Sequence, residues 1–217
     1  MNRSRPIRIG VIADTHGLFD STIARHFQGV DHIIHAGDIG KRSVIEQLEA
    51  IAPVTAVSGN VDEYEKSGFP TETIIQLNGL RIAIRHVVFE AGKLTKAGRA
   101  FLDRTRPDIC IFGHTHQPKN GWLGDTLLFN PGSAGPKRFR LSRRLGLLMI
   151  SEGKVSASHV ALADRAGKFH MPENSSRLLQ NAYKMCEHLG DWGHRGRTLD
   201  GKAVLGAVPA SVPKRVR

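Results

Sequence analysis

Apolar runs that stop at a metal-competent side chain recur along this chain, and they constrain its fold more than any other feature. Ile7 to Ala13 stops at Asp14-Thr-His16, and Asp31 to Ala36 stops at Gly37-Asp38. Pro53 to Val57 stops at Gly59-Asn60, and Ile109 to Phe112 stops at Gly113-His114-Thr-His116. Runs this short, bounded by glycine and turn residues, read as buried strands rather than buried helices. Two segments of helical spacing separate the first three. Ser21 to Phe27 has Asp20 or Ser21 as its N-cap, and Arg42 to Ile51 carries Val44, Ile45, Leu48 and Ile51 on one face. Strand, helix, strand, helix, strand predicts a mostly parallel sheet. The ends of parallel strands are where such folds place their sites.

The second half reads differently. Thr73–Leu77 and Leu80–Ile84 flank Asn78-Gly79, which favours a tight two-residue hairpin turn. Lys96 to Thr105 reads as a helix closed by Pro107. Trp122-Leu123, Leu127–Phe129, Leu145–Ile150 and Val155–Val160 read as strands, so this half is expected to be largely antiparallel. The fold class is therefore α/β, with two packed sheets and helices outside. The pattern weakens past residue 165. Residues 171–217 hold eight basic and four acidic side chains, and Ser175 to Leu189 could form one amphipathic helix. From Gly190 on, poor order is expected. The expected organisation is one domain over residues 1–165 and a basic C-terminal extension over 166–217.

Composition narrows the partners. The net charge of +11 attracts anions, whether nucleic acid, an anionic membrane or phosphorylated small molecules, without choosing among them. Lys137, Arg138, Arg140, Arg143 and Arg144 form the densest basic cluster. It reads either as a solvated loop or as a rim that draws anionic substrate. Aromatics make up 6% of the chain, which supports stacking on single-stranded nucleic acid only weakly. No run of 18 or more apolar residues is present, and the basic N-terminus lacks the apolar core of a secretory leader. Two cysteines, Cys110 in an apolar run and Cys186, make no disulfide framework. A cytoplasmic protein without membrane attachment is expected.

Aspartate, histidine and asparagine are donors for hard or borderline divalent metals. Singly the signatures are ordinary. Asp14 could cap a helix, and Gly37-Asp38 and Gly59-Asn60 are good turns. Gly113-His114-Thr-His116 is stronger, because two histidines two apart after a strand point to the same side. Their joint occurrence at four strand ends argues for a site. His86 is a further candidate, since a second metal otherwise lacks a donor. His35 reads as a buried histidine that orients a ligand. Nucleophile elbow, phosphate loop, dinucleotide fingerprint and thiolate zinc site are all missing. These residues point to a metal-dependent hydrolase of phosphate esters, in which two ions about 3.5–4 Å apart clamp an in-line displacement at phosphorus.

Asp14-Thr-His16-Gly17, His35-Ala-Gly-Asp38, Ser58-Gly-Asn60-Val-Asp62, Gly113-His114-Thr-His116 and Asn130-Pro-Gly-Ser133 resemble the calcineurin-like metallophosphoesterases. The likeness spans about residues 7–160 and is greatest to the small bacterial and archaeal phosphodiesterases, with the retromer subunit of that fold as a compact relative. It implies a four-layer αββα sandwich of two mixed sheets. It also implies that Asp14, His16, Asp38 and His116 hold one metal, that Asp38 bridges, and that Asn60, His86 and His114 complete the other. Asp38, Asn60, His86 and His114 would carry the catalysis. Two divalent ions, manganese first and iron, zinc or nickel as alternatives, would hold a bridging hydroxide that attacks a small phosphodiester. Asn130 to Ser133 would be a structural turn. Where the family pattern places glycine after the His86 position, this chain has Val87. Alternatives are a binding scaffold, as in the retromer relatives, or a nuclease. A small phosphorylated substrate is the expected partner, with nucleic acid and self-association left open.

Overall fold

The computed structural model describes residues 5–62, 67–137 and 141–162. The expected C-terminal extension, its helix and Cys186 lie outside the described residues. Twelve strands and three helices follow in order among those described. They are β1 (Ile7–Ile12), α1 (Ser21–Phe27), β2 (His32–His35), α2 (Arg42–Glu49), β3 (Val54–Ala56), β4 (Glu72–Leu77) and β5 (Leu80–Arg85). Then come β6 (Phe89–Glu90), β7 (Lys93–Leu94), α3 (Lys96–Thr105) and β8 (Ile109–Ile111). Last are β9 (Lys119–Leu123), β10 (Thr126–Asn130), β11 (Arg144–Ser151) and β12 (Lys154–Ala161).

Two five-stranded sheets result. The first runs β12-β11-β1-β2-β3, and the second runs β4-β5-β8-β10-β9. In the first, β1, β2 and β3 are parallel, as the alternation of strands and helices predicts, while β11 and β12 add as an antiparallel hairpin. Ile12 lies opposite His35, and His35 opposite Ala56, so the three strands end level. The loops bearing Asp14, Asp38 and Asn60 therefore leave from one edge. The second half is largely antiparallel, as expected, through β4-β5, β6-β7, β9-β10 and β11-β12, with one exception in the second sheet. Its centre, β5-β8-β10, is parallel. The crossover helix α3 returns the chain between β5 and β8, and β9 pairs only with the far side of β10. Ile84, Ile111 and Phe129 lie in one register row, so His86, His114 and Asn130 emerge together just past it.

Three apolar clusters give the layering. Ile9, Val11 and Ile34 of the first sheet meet Ile82, Ile84, Ile109, Ile111 and Phe129 of the second, closing the sheets on one another. On the outer face of the first sheet, Ile33 packs with Ile23 and Phe27 of α1 and with Val44, Ile45 and Leu48 of α2. On the outer face of the second, Ala83, Cys110 and Leu128 pack with Phe101 and Leu102 of α3. Local signals explain the ends of these elements. Asp20 caps α1, its Oδ1 accepting from the amides of Thr22 at 3.0 Å and Ile23 at 3.3 Å. The turn between β4 and β5 has positive φ at both Asn78 (48°) and Gly79 (85°), as a tight hairpin of this hand requires. The small β6–β7 hairpin has no long alternating run and was not legible in the sequence. Among the described residues, no helix is long and apolar enough to cross a membrane.

Candidate metal centre

All seven expected donors sit in loops just beyond level strand ends, and the two sheets face those loops toward one another. Five form two tight groups. Donor atoms of Asp14, His16 and His116 lie within 4.8 Å of one another, and so do those of Asp14, Asp38 and His86. His116 Nε2 is 3.2 Å from Asp14 Oδ1 and 3.4 Å from His16 Nε2. His86 Nε2 is 3.2 Å from Asp38 Oδ1 and 3.8 Å from Asp14 Oδ1. Asp38 spans the groups, its Oδ2 lying 3.9 Å from His16 Nε2 while its Oδ1 faces His86. Asp14 belongs to both groups, whereas the resemblance placed it in the first alone. Asn60 and His114 form a more open pair beside them, with Asn60 Oδ1 2.9 Å from His114 Nδ1. The His114 ring stands edge-on to His86 at a centroid distance of 5.6 Å.

The backbone that aims these side chains is strained. Asp14, His16, Asp38, His114 and His116 all have φ between 47° and 69°. Each such residue costs about 1–2 kcal/mol relative to right-handed backbone. The surroundings hold them there. Asp14, His16 and Gly17 donate their amides to the carbonyls of Gly37, Asp38 and Ile39 at 2.7–2.9 Å. Ser133 Oγ and the Gly135 amide both donate to the Asp14 carbonyl at 3.0 Å. Strain that the rest of the fold over-determines is a mark of functional loops. Glycine permits the close approach. A methyl on Gly59 would lie 2.0 Å from Asp38 Oδ1, and one on Gly37 would lie 2.6 Å from His86 Nδ1. Val87, where the family pattern has glycine, does not have a positive φ. Its side chain is compatible with His86 reaching the site.

Electrostatics test whether cations fit. His86 Nδ1 lies 2.6 Å from the Ala36 carbonyl and donates to it. That fixes the tautomer and aims Nε2 at two carboxylates. His86 Nε2 and Asp14 Oδ2 are buried without an aligned hydrogen bond among the described residues. Burial disfavours the charged form of His86, but Asp38 and Asp14 outweigh it, so its pKa is raised. Burial likewise opposes ionisation of Asp38, yet His86, the Val61 amide and His16 hold its pKa below the usual value. Clustered carboxylates and imidazoles that lack full hydrogen bonding suit divalent ions of hard or borderline character.

His35 is a brace, as expected. Its Nδ1 accepts from the Gly37 amide at 3.2 Å, and its Nε2 lies 2.9 Å from Thr15 Oγ1. The Thr15 hydroxyl donates to the Ile39 carbonyl at 3.0 Å, so Nε2–H donates to Thr15. Full burial pushes the His35 pKa down to about 3, which keeps it neutral. Asn130 also braces the site. Its Nδ2 donates to the Gly113 carbonyl at 2.8 Å and to Thr115 Oγ1 in the loop after β8 at 3.2 Å. Sequence reasoning named Asp62 within a signature and gave it no role. Its carboxylate accepts from the amides of Ile39, Gly40 and Gly59, each at 2.9 Å, and so ties the Asp38 loop to the Asn60 loop.

The basic cluster resolves against a uniform rim. Arg143 is buried and pairs with Asp20 Oδ2 at 2.8 Å, while its guanidinium also donates to the carbonyls of Ala134 and Gly135. Arg138 and Arg140 lie outside the described residues.

A two-sheet α/β fold that gathers histidines and carboxylates at parallel strand ends defines a metallophosphoesterase-type domain. Residues 7–153 match the calcineurin-like phosphoesterase superfamily domain, and the chain belongs to that family. A probable metallophosphoesterase of Methanocaldococcus jannaschii is 34% identical over 164 residues, covering 72% of this chain and 82% of that protein. Two solved structures show the same fold. An archaeal phosphodiesterase matches with a TM-score of 0.59 and 21% identity over 72% of this chain and 100% of its own. Vacuolar protein sorting 29 of Cryptosporidium parvum matches with a TM-score of 0.59 and 18% identity over 74% of this chain and 100% of its own.

Proposed function

We propose that this metallophosphoesterase hydrolyses a small phosphodiester at a centre of two divalent ions, with manganese the first candidate. One observation carries the reading. Two donor groups, one fully buried and one half-buried, share Asp14 and meet at Asp38, and Asp14 Oδ2 and His86 Nε2 within them lack a hydrogen bond among the described residues. Asp14, His16, Asp38 and His116 would hold one ion, and Asp38, Asn60, His86 and His114 the other. When bound, such ions polarise the phosphoryl oxygens and acidify a water for in-line attack. The chain's own residues supply the rest. Asp38 presents one carboxylate oxygen to each group and keeps the two groups together. Ala36, through its hydrogen bond to His86 Nδ1, keeps the Nε2 lone pair facing inward. His114, the more open of the histidines, can place an N–H toward a phosphoryl or leaving oxygen. A reducing cytoplasm suits the buried free thiol of Cys110.

The archaeal phosphodiesterase likeness favours diesters, while the vacuolar sorting likeness favours a binding scaffold on the same fold. Metal content and turnover separate the two. Purified protein loaded with manganese should hold about two ions per chain and hydrolyse bis(p-nitrophenyl) phosphate. Asp38→Ala and His116→Ala should each abolish that turnover while leaving the far-ultraviolet dichroism intact. Undiminished activity in both variants would refute the assignment. A wild-type protein that takes up no metal and turns over no diester would make it a scaffold.

A further inference from the structure

Beside the metal centre lies a second cavity of about 250 Å³, lined by Ile39, Lys41, Arg42, Val61, Asp62 and Phe69 among others. Its walls are direct continuations of the ligand loops. Ile39 follows Asp38, and Val61 follows Asn60. The cavity wall and two of the donor candidates therefore share the same two loops.

The chemistry of its lining is specific. Ile39, Val61 and Phe69 offer apolar surface. The Arg42 guanidinium lies over the Phe69 ring, 5.6 Å from its centroid, which holds a flat cation at the cavity wall. The Lys41 side chain lies along Gly17, the residue after His16. A methyl on Gly17, next to His16, would lie 3.0 Å from Lys41 Cγ and 3.2 Å from its Cε, so the lysine stem crosses that glycine. Among the described residues, neither Lys41 nor Arg42 is in an ion pair. Asp62, the acid in the described lining, turns its carboxylate to the amides of Ile39, Gly40 and Gly59 rather than to either cation. Two open cations, a guanidinium plane and an aromatic wall suit a flat ring that carries an anionic group. The volume sits just below the roughly 300–1,000 Å³ of ordinary small-molecule sites, room for one ring system and not for a polynucleotide track.

We propose that Lys41, Arg42 and Phe69 form a specificity pocket for a nucleotide on one arm of the scissile diester, its base against Arg42 and Phe69 and its second phosphate on Lys41. The inference rests on the phosphodiesterase reading for its link to turnover, and on the cavity alone for its link to binding. It makes the substrate a nucleotide-bearing small diester, as distinct from a lipid, a sugar phosphate or a long nucleic acid.

Two reporters with the same p-nitrophenolate leaving group test it. One is methyl p-nitrophenyl phosphate, and the other is the p-nitrophenyl ester of thymidine bisphosphate. Manganese-loaded wild type should favour the nucleotide ester by about tenfold or more in kcat/KM, mainly through KM, as one charge-assisted contact would give. Lys41→Ala and Arg42→Ala should each remove about tenfold from the nucleotide ester and leave the methyl ester within about twofold. Equal losses on both esters, or no loss on either, would overturn the pocket. Calorimetric titration of the metal-free variants and wild type with thymidine bisphosphate gives a separate reading. Binding should weaken about tenfold in either variant. If wild type hydrolyses neither ester, the phosphodiesterase reading fails on its own. The pocket then stands or falls on whether the variants weaken nucleotide binding.

Discussion

Asp14→Asn should stabilise the metal-free protein and remove most of what metal adds. Asp14 is fully buried, and its Oδ2 has no hydrogen-bond partner among the described residues. Asp38, a second buried carboxylate, shares the same histidine, with His86 Nε2 at 3.8 Å from Asp14 and 3.2 Å from Asp38. An unsatisfied buried polar group costs about 1–3 kcal/mol, and more when charged. Asparagine removes the charge, keeps an oxygen to accept from the His114 amide, and tolerates the left-handed backbone at φ 54°. At roughly 2–4 °C per kcal/mol for a domain of this size, Tm in chelator should rise by about 2–12 °C. Metal reverses the order. At a free concentration of about 100 Kd, one bound ion stabilises wild type by roughly 2.7 kcal/mol. The variant, which lacks a donor common to both groups, should gain little. Differential scanning calorimetry in chelator and in excess manganese measures both arms. If Asp14→Asn melts below wild type in chelator, the idea that unmet charge is stored at this centre is wrong. An equal manganese-induced rise in both proteins would remove Asp14 from the ligand set.

Asp62→Ala strands three backbone amides and should cost about 2–4 kcal/mol in urea denaturation, with manganese affinity falling at least tenfold by calorimetry. A loss of stability without a loss of metal affinity would show that Asp62 does not align the two loops. Gly59→Ala needs no positive φ, but its methyl would fall 2.0 Å from Asp38 Oδ1 and 2.3 Å from the Asp38 backbone nitrogen, so the Asp38 loop must shift and metal uptake should drop more than far-ultraviolet dichroism changes. Retention of about two manganese ions by that variant would count against a bridging Asp38. Arg143→Met leaves Asp20 buried and unpaired, at a cost of about 3–5 kcal/mol. Burial opposes ionisation of Asp20, but Thr22 and Arg143 hold its folded pKa below 3.8. Its contribution is thus present above pH 3.8 and lost as pH falls through the folded pKa. Acid titration of stability should show a shallower loss below pH 3.8 in Arg143→Met than in wild type, and parallel curves would refute the pairing.

The first sheet was readable because its signals are local and agree with one another. Short apolar runs, helical spacing and the Asp20 cap each specify one element, and strand, helix, strand leaves a parallel sheet as the consistent topology. The donor candidates were equally visible, since each follows such a run, and the fold brings five of them into two groups. Pairing in the second half was not readable. Its strands are as short as the three residues Ile109–Ile111, and whether β8 pairs beside β10 or β9 depends on contacts far apart in sequence. Arg143 illustrates the same limit for charge. It sits among four other basic residues in the sequence, yet the fold buries it against Asp20, because an arginine's position relative to α1 is a tertiary fact.

What the sequence could not carry at all is the conformation of the loops. Histidine and aspartate prefer right-handed backbone, and nothing in Asp14-Thr-His16 or Gly113-His114-Thr-His116 announces that four of those side chains adopt positive φ. The structure supplies the reason in hydrogen bonds from elsewhere: Asp62 on the Asp38 loop, Asn130 on the His114 loop, and Ser133 and Gly135 on Asp14. These braces make no contact with a reacting atom, yet they decide where the donors point. Removing one should therefore lower metal affinity before it lowers fold content. Removing a candidate ligand such as Asp14 should do the reverse to stability, because the brace remains while the unmet charge is gone. Opposite signs in chelator for Asp62→Ala, which removes a brace, and Asp14→Asn, which removes a buried charge, are thus what a strained centre held for cations demands.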